Sequence, residues 1–228
     1  MNRPTGSATG ELVVLIKTLS AALEGGLSIP KGAQGVVLFA HGSGSSRFSP
    51  RNRYVAQVLQ NAGIGTLLFD LLTRQEEAID ERTGQLRFDI GFLARRLVEV
   101  TDWLATDLSG KGLKLGYFGA STGAAAALVA AAERPDDIKA LVSRGGRPDL
   151  AREDLPRVKA PTLLIVGGKD YQVIEMNRDA LVKLRGEKSL IIVPGATHLF
   201  EEPGTLEEVA RLAADWFSRY FARKSERQ

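Results

Sequence analysis

The chain has 228 residues, 44% of them hydrophobic and 25% charged, which suits one folded domain with a substantial core. Its formal net charge is +3, with Lys and Arg interspersed among Asp and Glu, and this pattern argues against a nucleic-acid partner. It has no cysteine and only two histidines, His41 and His198, so disulfide and thiolate chemistry are excluded and neither a metal nor a cofactor is expected.

Residues 1–10 read as a flexible N-terminal segment, 11–222 as a single domain and 223–228 as a basic C-terminal tail. No secretory apolar core is visible, and no run approaches the ~20 apolar residues of a membrane span. No membrane partner is therefore expected, and the cytoplasm is the default compartment. Leu12–Leu19 and Ala21–Ser28 read as an antiparallel strand pair, with Gly25-Gly26 suggesting a bend or bulge. Gly35–Ala40 is the third strand, followed by a helix over Asn52–Asn61 and a fourth strand over Gly65–Asp70. Thr73–Leu86 reads as a charged, irregular excursion. Asp89–Thr106 follows as an amphipathic helix with Ile90, Leu93, Leu97, Val100 and Leu104 on one face. The fifth strand is Leu113–Phe118, the sixth Ile138–Ser143, the seventh begins at Thr162 and the eighth covers Ser189–Val193. Between the sixth and seventh, residues 144–161 leave room for a turn and one short helix but no helical cap. A helix from about Arg178 to Leu184 and a last helix over Leu206–Phe221, amphipathic through Val209, Leu212, Trp216 and Tyr220, complete the chain. Strands alternating with helices at this spacing predict a doubly wound, mostly parallel eight-stranded sheet with an antiparallel N-terminal edge.

The motif that carries chemistry is Gly119-Ala120-Ser121-Thr122-Gly123, between the fifth strand and an alanine-rich helix. A sharp strand-to-helix turn lifts a serine hydroxyl clear of the sheet, and small flanking residues let the turn close. Asp170 follows the seventh strand and His198 the eighth, so all three side chains lie past carboxyl ends of strands, where open parallel sheets gather their active-site residues. The types and order fit a nucleophile Ser121, a general base His198 and an orienting acid Asp170, with Asp149 as the fallback acid. The loop His41-Gly42-Ser43-Gly44 after the third strand is expected to supply an oxyanion amide from Ser43, paired with that of Thr122. His41 is expected to brace that loop. The loop lacks the Lys-Ser/Thr ending of a phosphate-binding P-loop. Arg47, Arg144 and Arg147 lie in loops at the same sheet edge. They are read either as a clamp for a substrate carboxylate or phosphate or as structural partners of Asp70, Asp89 or Asp149.

Four segments carry a resemblance: His41-Gly42-Ser43-Gly44-Ser45-Ser46-Arg47, Gly119 to Gly123, Ser143-Arg144-Gly145-Gly146-Arg147-Pro148-Asp149, and Pro194-Gly195-Ala196-Thr197-His198-Leu199-Phe200. With them the chain resembles α/β-hydrolases of the dienelactone hydrolase-like group, in particular the hydrolase domains that occur alone or fused to phosphoribosyltransferases. The resemblance implies the α/β-hydrolase fold without a large cap domain, and transfer of an acyl group from a small ester or lactone to water. Dienelactone hydrolases proper use a cysteine nucleophile, and here the position is Ser121. An acyltransferase or perhydrolase on the same three residues, and a non-catalytic ligand-binding module, are the competing readings. The resemblance leaves monomer or homodimer open.

Overall fold

A computed structural model describes residues 10–222. The expected segment 1–10, Gly10 excepted, and the tail 223–228 lie outside the described residues. The strands are β1 (Leu12–Lys17), β2 (Ala22–Ser28), β3 (Gly35–Ala40), β4 (Gly65–Phe69), β5 (Lys114–Ala120), β6 (Ile138–Arg144), β7 (Thr162–Gly167) and β8 (Lys188–Val193). They form one sheet in the order β1-β2-β4-β3-β5-β6-β7-β8. The pairs β1/β2 and β2/β4 are antiparallel and all others are parallel. This is the expected α/β-hydrolase sheet. β3, β4 and β7 are buried along their whole length, which is why they read as unbroken apolar runs rather than alternating ones. The register of β1 on β2 runs without interruption past Gly25 and Gly26, so the expected bulge is absent.

The helices are α1 (Pro50–Asn61), α2 (Arg74–Thr83), α3 (Ile90–Asp107), α4 (Thr122–Glu133), α5 (Tyr171–Lys183) and α6 (Thr205–Ala222). α3, α4 and α5 bury Leu97, Leu128 and Ala180 against one face of the sheet. α1 and α6 bury Leu59 and Phe217 against the other. Two helix starts and one whole helix differ from expectation. α1 begins at Pro50, because Ser49 accepts from the amide of Asn52 and proline needs no amide partner in a first turn. α5 begins at Tyr171, directly after the candidate acid. Residues 74–83 are helical rather than irregular, started by a reciprocal Thr73–Glu76 capping box and stopped by Gly84 in a left-handed conformation.

The buried stripe of α6 also differs. It runs through Val209, Ala213, Phe217, Tyr220 and Phe221, with Leu212 and Trp216 on its flank. Gly116 of β5 explains the choice, since a Cβ there would stand 2.8 Å from the Phe217 ring. The missing side chain makes room for an aromatic ring whose full burial contributes about 1.5–3 kcal/mol. Between β6 and β7 the chain forms only a short 3-10 stretch over Pro148–Arg157, so no helical cap rises from that interval.

On the α3 side, the buried Tyr117 hydroxyl lies 2.6 Å from Thr101 Oγ1, and that hydroxyl in turn donates to the Leu97 carbonyl at 2.8 Å. Tyr117 is thus the donor to Thr101, and burial pushes its phenol above the usual range. Thr101→Val leaves that donor unpaired in an apolar core and is expected to destabilise the fold by about 1–3 kcal/mol in equilibrium denaturant unfolding.

Candidate active site

The strand order places the site. β3 and β5 are adjacent and parallel, with Ala40 beside Gly119, so the loop leaving β3 and the turn leaving β5 emerge together. The chain winds away from this point in opposite directions, the arrangement that opens a crevice at carboxyl strand ends. Ser121 sits at the apex of the turn with φ 51° and ψ −121°, a left-handed conformation that costs a non-glycine residue roughly 1–3 kcal/mol. Its surroundings hold it there. The Ser121 amide donates to the Arg144 carbonyl at 3.2 Å, and its carbonyl accepts from the amides of Ala124 (3.1 Å) and Arg147 (3.2 Å). At Gly123 a Cβ would overlap the carbonyl oxygens of Ala40 and His41. Only glycine lets the start of α4 approach the end of β3 this closely.

Asp170 and His198 come together as expected. His198 Nδ1 lies 2.6 Å from Asp170 Oδ2. With Nδ1 donating, Nε2 is left as the basic nitrogen. The side chains are 16% and 38% exposed, so the carboxylate is shielded while the ring still reaches the crevice. Asp170 stands at the N-terminus of α5 yet makes no side-chain cap to it, which leaves its oxygen for the imidazole. Backbone bonds join the two loops: Gly168 N–H donates to Val193 O at 2.8 Å and Lys169 N–H to Ala196 O at 2.9 Å. Two residues that the sequence reading missed fix the histidine loop. Glu202 accepts from the Thr197 amide at 3.0 Å, and that bond holds its carboxyl below the usual range. Phe200, fully buried, anchors the loop in the core. Asp149, the fallback acid, is engaged by Arg147 through two bonds of 2.9 and 2.8 Å and is not paired with His198.

His41 braces the loop as expected. Its Nε2 accepts from the Leu71 amide at 3.1 Å, so the proton resides on Nδ1, which donates to the Gly42 carbonyl at 3.0 Å. Burial lowers its pKa and keeps it neutral. The Ser43 amide donates to Thr122 Oγ1 at 2.9 Å, a contact that joins the loop leaving β3 to the start of α4. The Thr122 amide belongs to the first turn of α4, where no residue of its own helix can accept it.

The three arginines do not converge as a clamp. Arg47 pairs with Asp70 and, at 2.7 Å, with Glu24. Arg147 is held by Asp149, which raises its pKa. Arg144 is buried against α1, where its Nη2 donates to Asn52 Oδ1 at 3.3 Å. Burial, with the Arg51 charge nearby, lowers Arg144 to about 10. α2 instead shapes the site. It walls a cavity of about 250 Å³ with His41, Ser43, Leu71, Glu77, Arg87 and Leu93 among its lining. Ser121, Asp170 and His198 are not among the residues lining it, but Gly42 is, and a Cβ at Gly42 would stand 3.1 Å from the Cβ of Ser121. Gly123→Ala is expected to lower stability by about 1–3 kcal/mol through overpacking. Equilibrium unfolding curves read that loss directly.

Comparison with known proteins places the chain in a family. Residues 23–222 match the dienelactone hydrolase family. A dienelactone hydrolase structure from Anabaena variabilis is 64% identical, with a TM-score of 0.90 over 92% of this chain and 97% of that one. A lidless α/β serine hydrolase from Xanthomonas campestris shares the fold at 20% identity, with a TM-score of 0.75 over 98% of this chain and the whole of that one. Two proteins of Mycobacterium tuberculosis, phosphoribosyl transferases by name, are 61% identical over 193 residues, 85% of this chain. The match covers 43% of the length of each of these longer relatives. The chain is an α/β hydrolase that belongs to the dienelactone hydrolase family.

Proposed function

We propose that the chain is a serine hydrolase of small carboxylic esters or lactones. Ser121 is the nucleophile, His198 the base and then the acid, and Asp170 the group that orients the ring. Two observations carry this reading: the 2.6 Å contact between His198 Nδ1 and Asp170 Oδ2, and the strained backbone of Ser121 at the apex of its turn. In the reaction, Ser121 Oγ adds to the substrate carbonyl carbon while His198 Nε2 takes its proton and the carbonyl π electrons move onto oxygen. The oxyanion collapses, the alkoxide leaves with the proton from His198, and water repeats the sequence on the acyl-enzyme. Asp170 stabilises the imidazolium that forms in each half.

The cavity supports a small substrate. Its volume of about 250 Å³ lies below the ~300–1,000 Å³ of pockets for drug-sized ligands. Its charge supports a neutral one. Glu77 and Glu81 line it, and its Arg87 is paired with Asp80 at 2.5 Å. With Arg47, Arg144 and Arg147 engaged elsewhere, no free guanidinium among the described residues faces an anionic ester there. This favours neutral esters over the carboxylate-bearing substrates that the sequence left open.

Ser121→Ala is expected to abolish turnover of p-nitrophenyl acetate with thermal unfolding unchanged, and turnover equal to wild type would refute the reading. Asp170→Asn should leave the protein folded, disturb the imidazole tautomer and lower kcat by about a thousandfold or more.

A further inference from the structure

β1 ends one side of the sheet and pairs only with β2, so among the described residues its outer edge is open. The opposite edge strand, β8, is half-buried over Ser189–Ile192. β1 is more open: Val13 and Leu15 are 69% and 54% exposed. They share a face with Glu11 and Lys17, since side chains alternate along a strand. Val14 and Ile16, on the other face, pack into the core. The backbone alternates too. The Thr18 amide donates to the Ala21 carbonyl at 2.8 Å, and one strand further in the Asp70 amide donates to the Glu24 carbonyl at 3.2 Å. Both bonds fix the same alternation through β2. Leu12, Val14 and Ile16 therefore bond to β2, and the amides and carbonyls of Val13, Leu15 and Lys17 point outward. An apolar edge with free backbone groups is a template for another strand. β1 has no proline to block one, and its one charge, Lys17, stands at its end.

We infer that this edge is a dimer interface, at which β1 of a second copy pairs antiparallel across a twofold axis and continues the sheet. Only registers that oppose outward-facing residues can bond, so the longest overlaps place the axis at Val13, Val14 or Leu15. An axis at Val14 sets Val13 against Leu15 and Glu11 against Lys17, each on both sides of the axis. The other two set Glu11 against Leu15 or Val13 against Lys17. The strand thus matches itself in one register, apolar to apolar and acid to base. The Glu11 carboxylate lies over Gly26 beside Arg53, and its side chain is 23% exposed, open to a lysine on the neighbouring strand. Lys17 has no ion-pair partner among the described residues. Exposed ion pairs add little affinity, but like charges set opposite each other oppose pairing. Glu11 and Lys17 therefore select the register, while the backbone bonds and the Val13–Leu15 contacts hold the dimer.

The test is analytical ultracentrifugation of the full chain from about 1 to 100 µM, a range that spans weak and stable association. Wild type should pass from monomer to dimer within it. Leu15→Pro removes an outward amide and no bond to β2, a change that an edge strand tolerates. It should stay monomeric, with thermal unfolding near that of wild type. Lys17→Glu sets acid against acid on both sides of the axis and should weaken the dimer about tenfold or more. Glu11→Lys should do the same. An equimolar mixture of these two variants should recover the dimer, because each then opposes the other with charges of opposite sign. The charge variants decide the matter if Leu15→Pro does not fold. A wild type still monomeric at the top of the range means that something other than a second copy covers the edge, and it overturns the inference. So does a dimer that survives Leu15→Pro, or a mixture that associates no better than its components.

Discussion

The arrangement depends on one steric constraint, the contact between the start of α4 and the end of β3. At Gly123 the α4 backbone lies against the carbonyls of Ala40 and His41 with no space for a side chain. That approach brings three things to one point: the apex serine of the β5 turn, the loop that leaves β3, and the unpaired amides at a helix start. The positive φ of Ser121 is part of the same constraint. A turn this tight cannot relax without driving α4 away from β3, so the sheet on one side and the helix packing on the other hold the strain in place. The apolar burial of α3 and α4 on β5 supplies the stability that offsets it.

Charge is arranged around that point so that the two histidines differ. Both rings stand near carboxyl ends of strands, but only His198 meets a carboxylate. His41 is tied at both nitrogens to backbone groups and kept neutral by burial, which suits a strut and not a base. The arginines follow the same logic. Each guanidinium near the sheet edge has found a local partner, Asp70, Asn52 or Asp149. Glu77 and Glu81 of α2, which make no ion pair among the described residues, therefore set the sign of the cavity. On the proposed reading, a transient oxyanion would be met by fixed hydrogen-bond donors and not by a nearby cation.

Much of this was legible in the sequence. Buried parallel strands read as apolar runs, and each chemical residue was placed at the end of such a run, so Ser121, Asp170 and His198 could be located without coordinates. α2 was missed although its signals were present. Thr73, Glu76 and Gly84 spell a start and a stop, but the helix buries almost no apolar surface, so hydrophobic periodicity could not reveal it. The stripe of α6 was misread because the space for Phe217 is made by Gly116 on a distant strand. The fate of Arg47, Arg144 and Arg147 was open for a similar reason: both roles were visible in sequence, and the choice rests on distances between loops. The bond from Ser43 to Thr122 had no sequence signal, since it joins a backbone amide to a side chain 79 residues away.

The most direct measurement of the central claim is a crystal structure of the chain after reaction with a small fluorophosphonate. The account predicts continuous density from Ser121 Oγ to phosphorus, a phosphoryl oxygen within hydrogen-bond distance of the Thr122 amide, and the His198 imidazole within reach of the adduct and still bonded to Asp170. An unmodified Ser121 after full exposure, or an adduct on another residue, contradicts it.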